Sequence, residues 1–494
     1  MLRLSGEVST KARRTRARFQ KRLLRNLQDA LHSEGLAGRP EDRWSRIYVT
    51  GAGRAAVEPL RRVFGISSLS VVEAECGAEL DEIVEVGCRT FADRVRGRRY
   101  AVRARRSGSH AFRSTDLMRE LGAALNPGAT VDLDRPDVVV RVEVREDRAR
   151  FFSDRIPCAG GLPVGVQGRA VCLISGGFDS AVAAWMTLRR GVRLDYLFCN
   201  LGGAAYRRMV IEVTKVLADR WSYGTRPRLR ILEFGPVVEE MRRSAKPAYL
   251  QVVLKRLMYR AASRVATRTG AQALVTGESI GQVSSQTLRN LRAIEGAASV
   301  PVLRPLVGFD KEEIVTRARR IGTYDLSARV REYCSVAPER PVTAAAPAAA
   351  ARQEERVDPR VLEEALAAGE EVDLRELRPA DIVAPGLFVA RIPEGARVLD
   401  TRDEAAFRTW HWPTAVRHDL EELARDFQRL DRETTYVLCC TEGMKTAHLA
   451  ERMQAQGFEA YSFRGGVRAL RRYAATAGVP GTAGAPAGGR TGNG

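Results

Sequence analysis

A glycine-containing loop, Ser175–Ser180 (Ser-Gly-Gly-Phe-Asp-Ser), is the most specific chemical motif in the sequence. It follows the apolar run Ala170–Ile174 and precedes Ala181–Arg190, which has the composition of a helix. A strand therefore leads through a glycine turn to a helix N-terminus, where backbone amides and the two serine hydroxyls can donate to a bound oxyanion. No Gly-Lys-Ser/Thr follows, so the loop differs from the phosphate loop of kinases and GTPases. The sequence predicts a phosphate-binding site; a tight turn without a ligand is the alternative.

Two adjacent cysteines indicate a second kind of chemistry. Cys439 and Cys440 end an apolar run that begins at Tyr436, and a short loop then leads into the helical segment Ala447–Gln454. Backbone amides and a helix N-terminus at such a position favour a thiolate or persulfide anion. Because side chains alternate along a strand, Cys439 and Cys440 should point to opposite faces, and the spacing alone does not decide which of the two is the reactive thiol. A small buried hydrophobic side chain is the usual alternative for any cysteine.

The composition indicates which binding partners and which cellular compartment to expect. Lys plus Arg number 80 against 60 Asp plus Glu, and this excess indicates a polyanionic partner such as nucleic acid, with a solvated Arg-rich surface as the alternative. No apolar run reaches the roughly 18 residues of a membrane span, and the first residues lack a signal-peptide pattern. We therefore expect a cytoplasmic protein without a membrane partner. Eight cysteines without a Cys-x-x-Cys pair predict neither a disulfide scaffold nor a zinc site.

The elements that must position these motifs follow from the pattern of the chain. Strands and helices alternate from about 168 to 336, which predicts a doubly wound, largely parallel sheet. A smaller α/β unit spans about 385–475. Between them, residues 337–384 include a Pro- and Ala-rich run that predicts a flexible linker, and residues 476–494 are too poor in bulky apolar side chains to fold.

The first 165 residues mix strands and helices in an α+β pattern that suits binding better than catalysis. Residues 11–25 carry eight positive charges and no acidic residue, and Phe19, Leu23 and Leu27 recur at four-residue steps. This is an amphipathic helix with a basic outer face, whose unopposed charges favour an anionic partner over a merely solvated surface. The predicted RNA contacts are basic residues on this helix and near strand ends, namely Arg14, Arg18, Arg22, Arg103, Arg105 and Arg106.

Several motifs together resemble one family. The Ser175–Ser180 loop looks like the pyrophosphate loop of the ATP pyrophosphatases, which split ATP between its α and β phosphates. The segments Asn200–Ala205, Val275–Glu278 and Gly281–Thr287 extend the likeness, and nearly the whole chain resembles the tRNA 4-thiouridine synthetases, also called thiamine biosynthesis sulfurtransferases. The strand containing Asp-Thr-Arg at 400–402, with the Cys440 loop, resembles a rhodanese domain, although a lysine stands at 445 where many rhodaneses place arginine.

The resemblance implies four domains and an ATP site. The domains are ferredoxin-like (1–60), THUMP RNA-binding (61–165), PP-loop ATP pyrophosphatase (166–336) and rhodanese-like (385–475). Asp179 would be an essential residue of the phosphate loop, and Mg²⁺ would enter with ATP rather than bind a metal motif of the protein. The residues implied to surround ATP are Leu173, Ile174, Ser175, Gly176, Gly177, Ser180, Phe198, Cys199, Lys255, Gly277 and Gln286.

The same resemblance implies a reaction. A tRNA uridine would be adenylated at O4, and sulfur from a Cys440 persulfide would replace that oxygen to give 4-thiouridine. Cys334 would then form a disulfide with Cys440 that a cellular reductant resets. A cysteine desulfurase would supply the sulfur, and a sulfur-carrier protein for thiamine thiazole synthesis would be a further partner. Two alternatives are a sulfur relay for thiamine only and a non-catalytic tRNA-binding protein.

Overall fold

The structure is a computed structural model that describes residues 1–43, 46–330, 340–377, 386–440 and 444–479. Within those ranges, the side chains of a few residues are left undescribed, namely Ala405, Glu421, Met444, Lys445, His448 and Arg468. The chain divides into two compact units, the first comprising Met1–Gly168, Leu188–Arg193 and Asp219–Thr225, and the second comprising the remainder. In the described ranges, no helix combines the length and the apolar character needed to cross a bilayer.

The first unit begins with a five-stranded sheet. Its strands are β1 (Leu2–Leu4), β2 (Arg39–Arg43), β3 (Arg46–Thr50), β4 (Ile66–Leu69) and β10 (Ile156–Pro157), in the order β10-β4-β1-β3-β2. All of its strand pairs are antiparallel. Its helices are α1 (Gly6–Ser9), α2 (Arg13–Ser33) and α3 (Val57–Arg62). As their spacing predicts, Phe19, Leu23 and Leu27 of α2 are buried in the core beneath this sheet.

A second five-stranded sheet completes the first unit. Its strands are β5 (Ala74–Gly77), β6 (Arg99–Ser107), β7 (Thr130–Val131), β8 (Val138–Arg145) and β9 (Arg148–Phe152), in the order β5-β9-β8-β6-β7. Helices α4 (Leu80–Val95) and α5 (Ser114–Leu125) bury their apolar faces in its core. The division between the two sheets differs from the predicted boundary at residue 60, because β4 and β10 pair within the first sheet.

The second unit contains the predicted doubly wound sheet. Its strands are β11 (Arg169–Leu173), β12 (Arg193–Asn200), β13 (Arg228–Glu233), β14 (Ala273–Val275), β15 (Val302–Leu303) and β16 (Glu370–Asp373), in the order β15-β14-β11-β12-β13-β16. The helices are α6 (Phe178–Arg189), α7 (Gly203–Trp221), α8 (Gly235–Ser244), α9 (Leu250–Thr269), α10 (Leu288–Glu295), α11 (Lys311–Ile321), α12 (Tyr324–Ser327), α13 (Pro347–Glu354) and α14 (Pro359–Ala367). This order confirms the predicted α/β class.

The segment predicted as a flexible linker, 337–384, differs from that prediction over its described part. It forms α13, α14 and β16, and β16 pairs antiparallel with β13. Glu354 of α13 makes ion pairs of 2.6 Å with Arg256 and 2.8 Å with Arg260. The alanines that suggested a linker instead allow close helix packing, and Ala345 and Ala350 are buried in a core with α9 and α10. Residues 337–339 and 378–384 lie outside the described residues, as do 480–494 of the predicted tail.

A separate parallel sheet forms the C-terminal domain. Its strands are β17 (Phe388–Val389), β18 (Arg397–Asp400), β19 (Val416–Arg417), β20 (Tyr436–Cys439) and β21 (Ala460–Phe463), in the order β17-β21-β20-β18-β19. Its helices are α15 (Glu404–Thr409), α16 (Leu420–Asp426), α17 (Met444–Gln454) and α18 (Gly466–Thr476). The central strand β20 is buried along its whole length and ends at the cysteine pair, at the carboxyl edge where parallel sheets place their functional sites.

Candidate active site

The Ser175–Ser180 loop comprises the turn after β11 and the first residues of α6. Gly176 has a φ of +76°, which favours glycine. Ser180 Oγ accepts a hydrogen bond from the Ser175 amide at 3.2 Å and donates to the Gly177 carbonyl at 3.1 Å. Gly277, which follows β14, lies against the loop so closely that a Cβ there would be 2.6 Å from backbone atoms of Asp179 and Ser180. Any side chain at 277 would displace the loop.

A cavity of about 510 Å³ lies beside this loop. This volume is in the range of about 300–1,000 Å³ that is typical of small-molecule sites. Of the residues implied to surround ATP, the loop glycines Gly176 and Gly177 do not line the cavity. All the others do, together with Asp179, namely Leu173, Ile174, Ser175, Ser180, Phe198, Cys199, Lys255, Gly277 and Gln286. The fold therefore brings residues from three strand ends, those of β11, β12 and β14, and from helix α9 to one site.

Asp179 is held by two partners that sequence reasoning did not assign. Lys311 Nζ lies 3.1 Å from Asp179 Oδ1, and Gln282 Nε2 donates to Oδ2 at 3.0 Å. Lys311 is the first residue of α11, where the sequence shows only a capping box that begins at Asp310. The capping box predicts where the helix starts, but nothing local indicates that Lys311 meets a residue 132 positions earlier.

A buried carboxylate orders another wall of the cavity. Glu278 is 2% exposed, and its Oε2 accepts hydrogen bonds from Tyr259 at 2.6 Å, Arg304 at 2.9 Å and Thr276 at 3.0 Å. Lys255 Nζ lies 3.8 Å from Oε1. Burial is the largest influence on Glu278 and opposes ionisation, but Lys255, Tyr259 and Arg304 together hold its pKa below the usual value. Glu278 is therefore an anion that attracts Lys255 to the cavity wall.

The two adjacent cysteines have different surroundings. Cys439 is fully buried, and burial, with the Asp400 carboxylate adding to it, raises the pKa of the Cys439 thiol well above its usual value. Cys440 is 8% exposed, and the Thr446 hydroxyl donates to its Sγ at 3.6 Å. Thr446 Oγ1 also lies 2.9 Å from the Ser462 hydroxyl. The sequence did not single out Thr446, which contacts Cys440 from the first part of helix α17.

A buried ion pair supports the strand next to the cysteines. Arg402 Nη2 lies 2.6 Å from Asp400 Oδ2, and the guanidinium also donates to the Trp410 carbonyl at 2.6 Å. Asp400 of β18 is directly opposite Cys439 in the sheet register. The Asp400–Arg402 ion pair therefore stabilises the end of β18, the strand that pairs with β20. The implied disulfide partner Cys334 lies outside the described residues, as do residues 441–443 and the side chain of Lys445.

The predicted RNA-binding arginines of helix α2 differ in exposure. Arg14 and Arg18 are exposed, whereas Arg22 is half-buried and donates to the Gly224 carbonyl at 3.3 Å. Burial, with Arg25 and Arg193 nearby, lowers the pKa of Arg22 from its usual value. Arg22 therefore contributes to the packing of the first unit as well as to its charge.

The predicted RNA-binding arginines of strand β6 lie near a basic cleft. Arg103 and Arg105 are exposed, and Arg106 donates to the Gly108 carbonyl at 2.9 Å. Arg105 and Arg106 line a cleft of about 320 Å³ whose lining also includes Arg46, Arg145 and the buried carboxylate of Glu143. This concentration of guanidinium groups suits a polyanion better than a neutral ligand.

The fold and these sites define a class of protein, in which a PP-loop domain is combined with ferredoxin-like, THUMP and rhodanese-like domains. Profiles of known families match in the same order: a ferredoxin-like domain at 1–70, THUMP at 77–154, thiamine biosynthesis protein (ThiI) at 165–358 and rhodanese-like at 385–472. A tRNA sulfurtransferase of Pyrobaculum aerophilum is 39% identical over 93% of this chain and 95% of its own length. One of Erwinia tasmaniensis is 37% identical over 93% and 98%. The chain belongs to the tRNA sulfurtransferase (ThiI) family.

Solved structures agree with this assignment. The crystal structure of a 4-thiouridine synthetase–RNA complex with bound ATP matches 75% of this chain and 99% of its own, with a TM-score of 0.66 and 31% identity. A protein of Pyrococcus horikoshii matches 65% of this chain and 98% of its own, with a TM-score of 0.53. At 24% identity, this second structure shows the likeness of the fold alone.

Proposed function

We propose that this chain uses ATP to adenylate a tRNA uridine at O4 and replaces that oxygen with sulfur from a Cys440 persulfide. The observation that carries the proposal is the cavity beside the Ser175–Ser180 loop, where Lys255 joins the apolar ends of neighbouring strands. Relatives over nearly the whole chain are tRNA sulfurtransferases, and a solved relative holds both RNA and ATP.

The cavity offers suitable surroundings for each part of ATP. Leu173 and Phe198 form an apolar wall against which a nucleoside can pack, while the loop amides at the start of α6 suit phosphates. Lys255 adds a positive charge that Glu278 keeps at the wall. In the described parts of the chain, no group of three or more His, Cys, Asp or Glu is placed to hold a metal ion. Mg²⁺ would enter with ATP and meet Asp179, where its charge would offset that of the departing pyrophosphate.

Adenylation turns the uridine oxygen into a leaving group. O4 attacks the α phosphorus, the bond to the β-phosphate oxygen breaks, and pyrophosphate leaves. The protein contributes by positioning the two reactants and by stabilising charge with fixed donors. Lys311, which pairs with Asp179 beside the loop, adds a further cation at this site.

Sulfur transfer then uses the C-terminal domain. The terminal sulfur of the Cys440 persulfide attacks C4 of the adenylated uridine, and AMP leaves with the original oxygen. The Cys334 thiolate attacks the Cys440 sulfur, which forms a Cys334–Cys440 disulfide and releases the 4-thiouridine. A cellular reductant regenerates both thiols. Alternatively, Cys334 attacks the persulfide first, and the hydrosulfide so released attacks C4.

The partners follow from this scheme. The exposed arginines of α2 and β6 supply sequence-independent contacts to tRNA phosphates. A cysteine desulfurase loads Cys440 with sulfur, a step that the Thr446 hydroxyl assists by stabilising the anionic sulfur.

The direct test compares the two neighbouring cysteines. We expect Cys440→Ser to abolish 4-thiouridine in tRNA, measured by mass spectrometry of nucleosides from a reaction with purified full-length protein. Cys439→Ala is the matched control, and we expect it to retain the activity because its side chain points to the other face of β20. Thiolation at the normal rate by Cys440→Ser would refute the proposed role of Cys440.

A second candidate function is delivery of sulfur to a carrier protein for thiamine thiazole synthesis. The C-terminal domain favours it, because it has a parallel sheet of its own with β20 at its centre. Expression of residues 385–475 alone should restore growth without thiamine in a strain that lacks the full-length gene. Failure of both this fragment and the full chain to restore growth would contradict this candidate and leave the tRNA reaction untouched.

A further inference from the structure

The first two turns of helix α7 contact the C-terminal rhodanese-like domain. Both carboxylate oxygens of Glu451 accept from the Ala204 amide, at 2.9 and 3.1 Å. Ala205 is 2% exposed and belongs to the apolar cluster of that domain. One turn further on, the Arg208 guanidinium carbon lies 5.2 Å from the centre of the Phe388 ring. Residues 204 and 208 are one helical turn apart, so these contacts form a continuous surface on α7.

The same two turns also border the cavity proposed for ATP. Leu201, just before the helix, and Tyr206 both line that cavity. The Tyr206 hydroxyl donates to the Ser175 carbonyl of the phosphate loop at 3.0 Å, and its ring packs edge-on against Phe198 with centres 5.0 Å apart. A segment of a few residues therefore contacts the cavity and the rhodanese-like domain at once.

Glu451 is rigidly connected to the sulfur-carrying site. It lies on α17, the helix that begins four residues after Cys440, and Ala447 and Ala450 of this helix are fully buried. A contact made by Glu451 therefore determines the position of the strand end that carries Cys440. Movement of the domain away from α7 would have to break this contact first.

Physical chemistry explains why a carboxylate suits this contact. The first amides of a helix have no acceptor within the helix, and α7 is 19 residues long, with a positive dipole end at Ala204. Glu451 both satisfies the Ala204 amide and places a negative charge at that end. Because the two domains belong to one chain, their effective concentration is on the order of millimolar, and a modest contact is enough for reversible docking.

We propose that Ala204–Arg208 is the docking surface for the rhodanese-like domain of the same chain, and that Glu451 fixes the domain there. The role of the docking rests on the proposed function: it holds the domain that carries Cys440 against the wall of the cavity in which the uridine is adenylated.

The test uses full-length protein with Glu451→Lys, which places a positive charge at the positive helix end. Hydrogen exchange of the peptide that contains Ala204 reports docking without any need for activity. We expect its amides to exchange about tenfold faster than in the wild type. Glu433→Lys is the matched control, since it makes the same charge change at an exposed position of the same domain. In Glu433→Lys, the peptide that contains Ala204 should exchange at the wild-type rate.

Two further measurements separate docking from folding and from catalysis. Loading of Cys440 by a small-molecule persulfide donor should stay at the wild-type rate in Glu451→Lys, which shows that the domain is folded. If Glu451→Lys fails to load, Glu451→Gln is used instead. We expect its Ala204 peptide to exchange faster than in the wild type, but by less than in Glu451→Lys. Single-turnover transfer of sulfur from Cys440 to tRNA should fall about tenfold in the loaded variant.

The outcomes decide the inference independently of the proposed reaction. Unchanged exchange at Ala204 in both Glu451 variants would overturn the docking surface. Faster exchange with normal single-turnover transfer would overturn the role of docking in sulfur transfer. If the wild type itself transfers no sulfur from Cys440, the proposed function fails, while the exchange result still establishes or overturns the docking surface.

Discussion

Substitution of Glu278 by glutamine tests how the cavity wall is stabilised. The change keeps the shape of the side chain but removes a buried negative charge that Arg304, Tyr259 and Thr276 contact through hydrogen bonds. Arg304 would then be left with the exposed carboxylate of Glu295, 3.1 Å away. The variant thus isolates the contribution of one buried charge.

The structure provides a matched control on the same guanidinium. The Glu278 side chain is 3% exposed and that of Glu295 is 50% exposed, so Glu295→Gln removes the exposed half of the same ion-pair network. Loss of one partner from a buried pair costs about 3–5 kcal/mol, whereas an exposed pair contributes about 0.2–1 kcal/mol. We expect Glu278→Gln to lower the free energy of unfolding by about 3 kcal/mol, near the lower figure because glutamine can still accept from Arg304.

Calorimetry of the full-length variants measures this difference. For a domain of this size, about 3 kcal/mol corresponds to a fall in the transition temperature of about 6–12 °C, and Glu295→Gln should change it by about 4 °C or less. Because the folded-state pKa of Glu278 is lowered, its contribution is present above the unfolded pKa and is lost as the pH falls through the folded value. The difference in transition temperature between the wild type and Glu278→Gln should therefore become smaller in acid. Equal effects of the two substitutions at neutral pH would refute this reasoning.

The remaining predictions concern the reaction. Asp179→Asn should abolish tRNA-dependent release of pyrophosphate while leaving persulfide loading of Cys440 unchanged. Pyrophosphate release at the wild-type rate by this variant would show that Asp179 has no role in adenylation. Cys334→Ser should release less than one 4-thiouridine per protein molecule with a physiological reductant, because in both proposed routes the Cys334 thiolate frees the transferred sulfur from Cys440. Continuous cycling by this variant, measured as 4-thiouridine formed per protein molecule, would eliminate the disulfide step.

The fold was predictable where local patterns dominate. The strand, the glycine turn and the helix around Ser175–Ser180 are adjacent in sequence, and their order alone predicts the strand–turn–helix arrangement that the structure has. Alternation along β20 predicts which of Cys439 and Cys440 is enclosed beside Asp400. Both inferences use residues within one or two elements, where the backbone geometry is nearly fixed by the sequence pattern.

Features that depend on distant pairing were not predictable. Lys311 meets Asp179 across 132 residues, and the Glu278 network joins residues from α9 and from the chain after β14 and β15. The Ala-rich segment after residue 340 was wrongly predicted to be a flexible linker for a related reason. Small side chains carry little pattern of their own, yet they let α13 approach α9 closely, and the Glu354 ion pairs with Arg256 and Arg260 add to that contact.

The most direct test of the account follows one sulfur atom. Full-length protein is loaded at Cys440 with ³⁵S as the persulfide, freed of donor, and mixed with tRNA in the presence or absence of ATP. The account predicts that the label moves to a tRNA uridine only when ATP is present, with one AMP and one pyrophosphate formed for each 4-thiouridine. Label that reaches tRNA without ATP, or that stays on Cys440 while ATP is consumed, would contradict it.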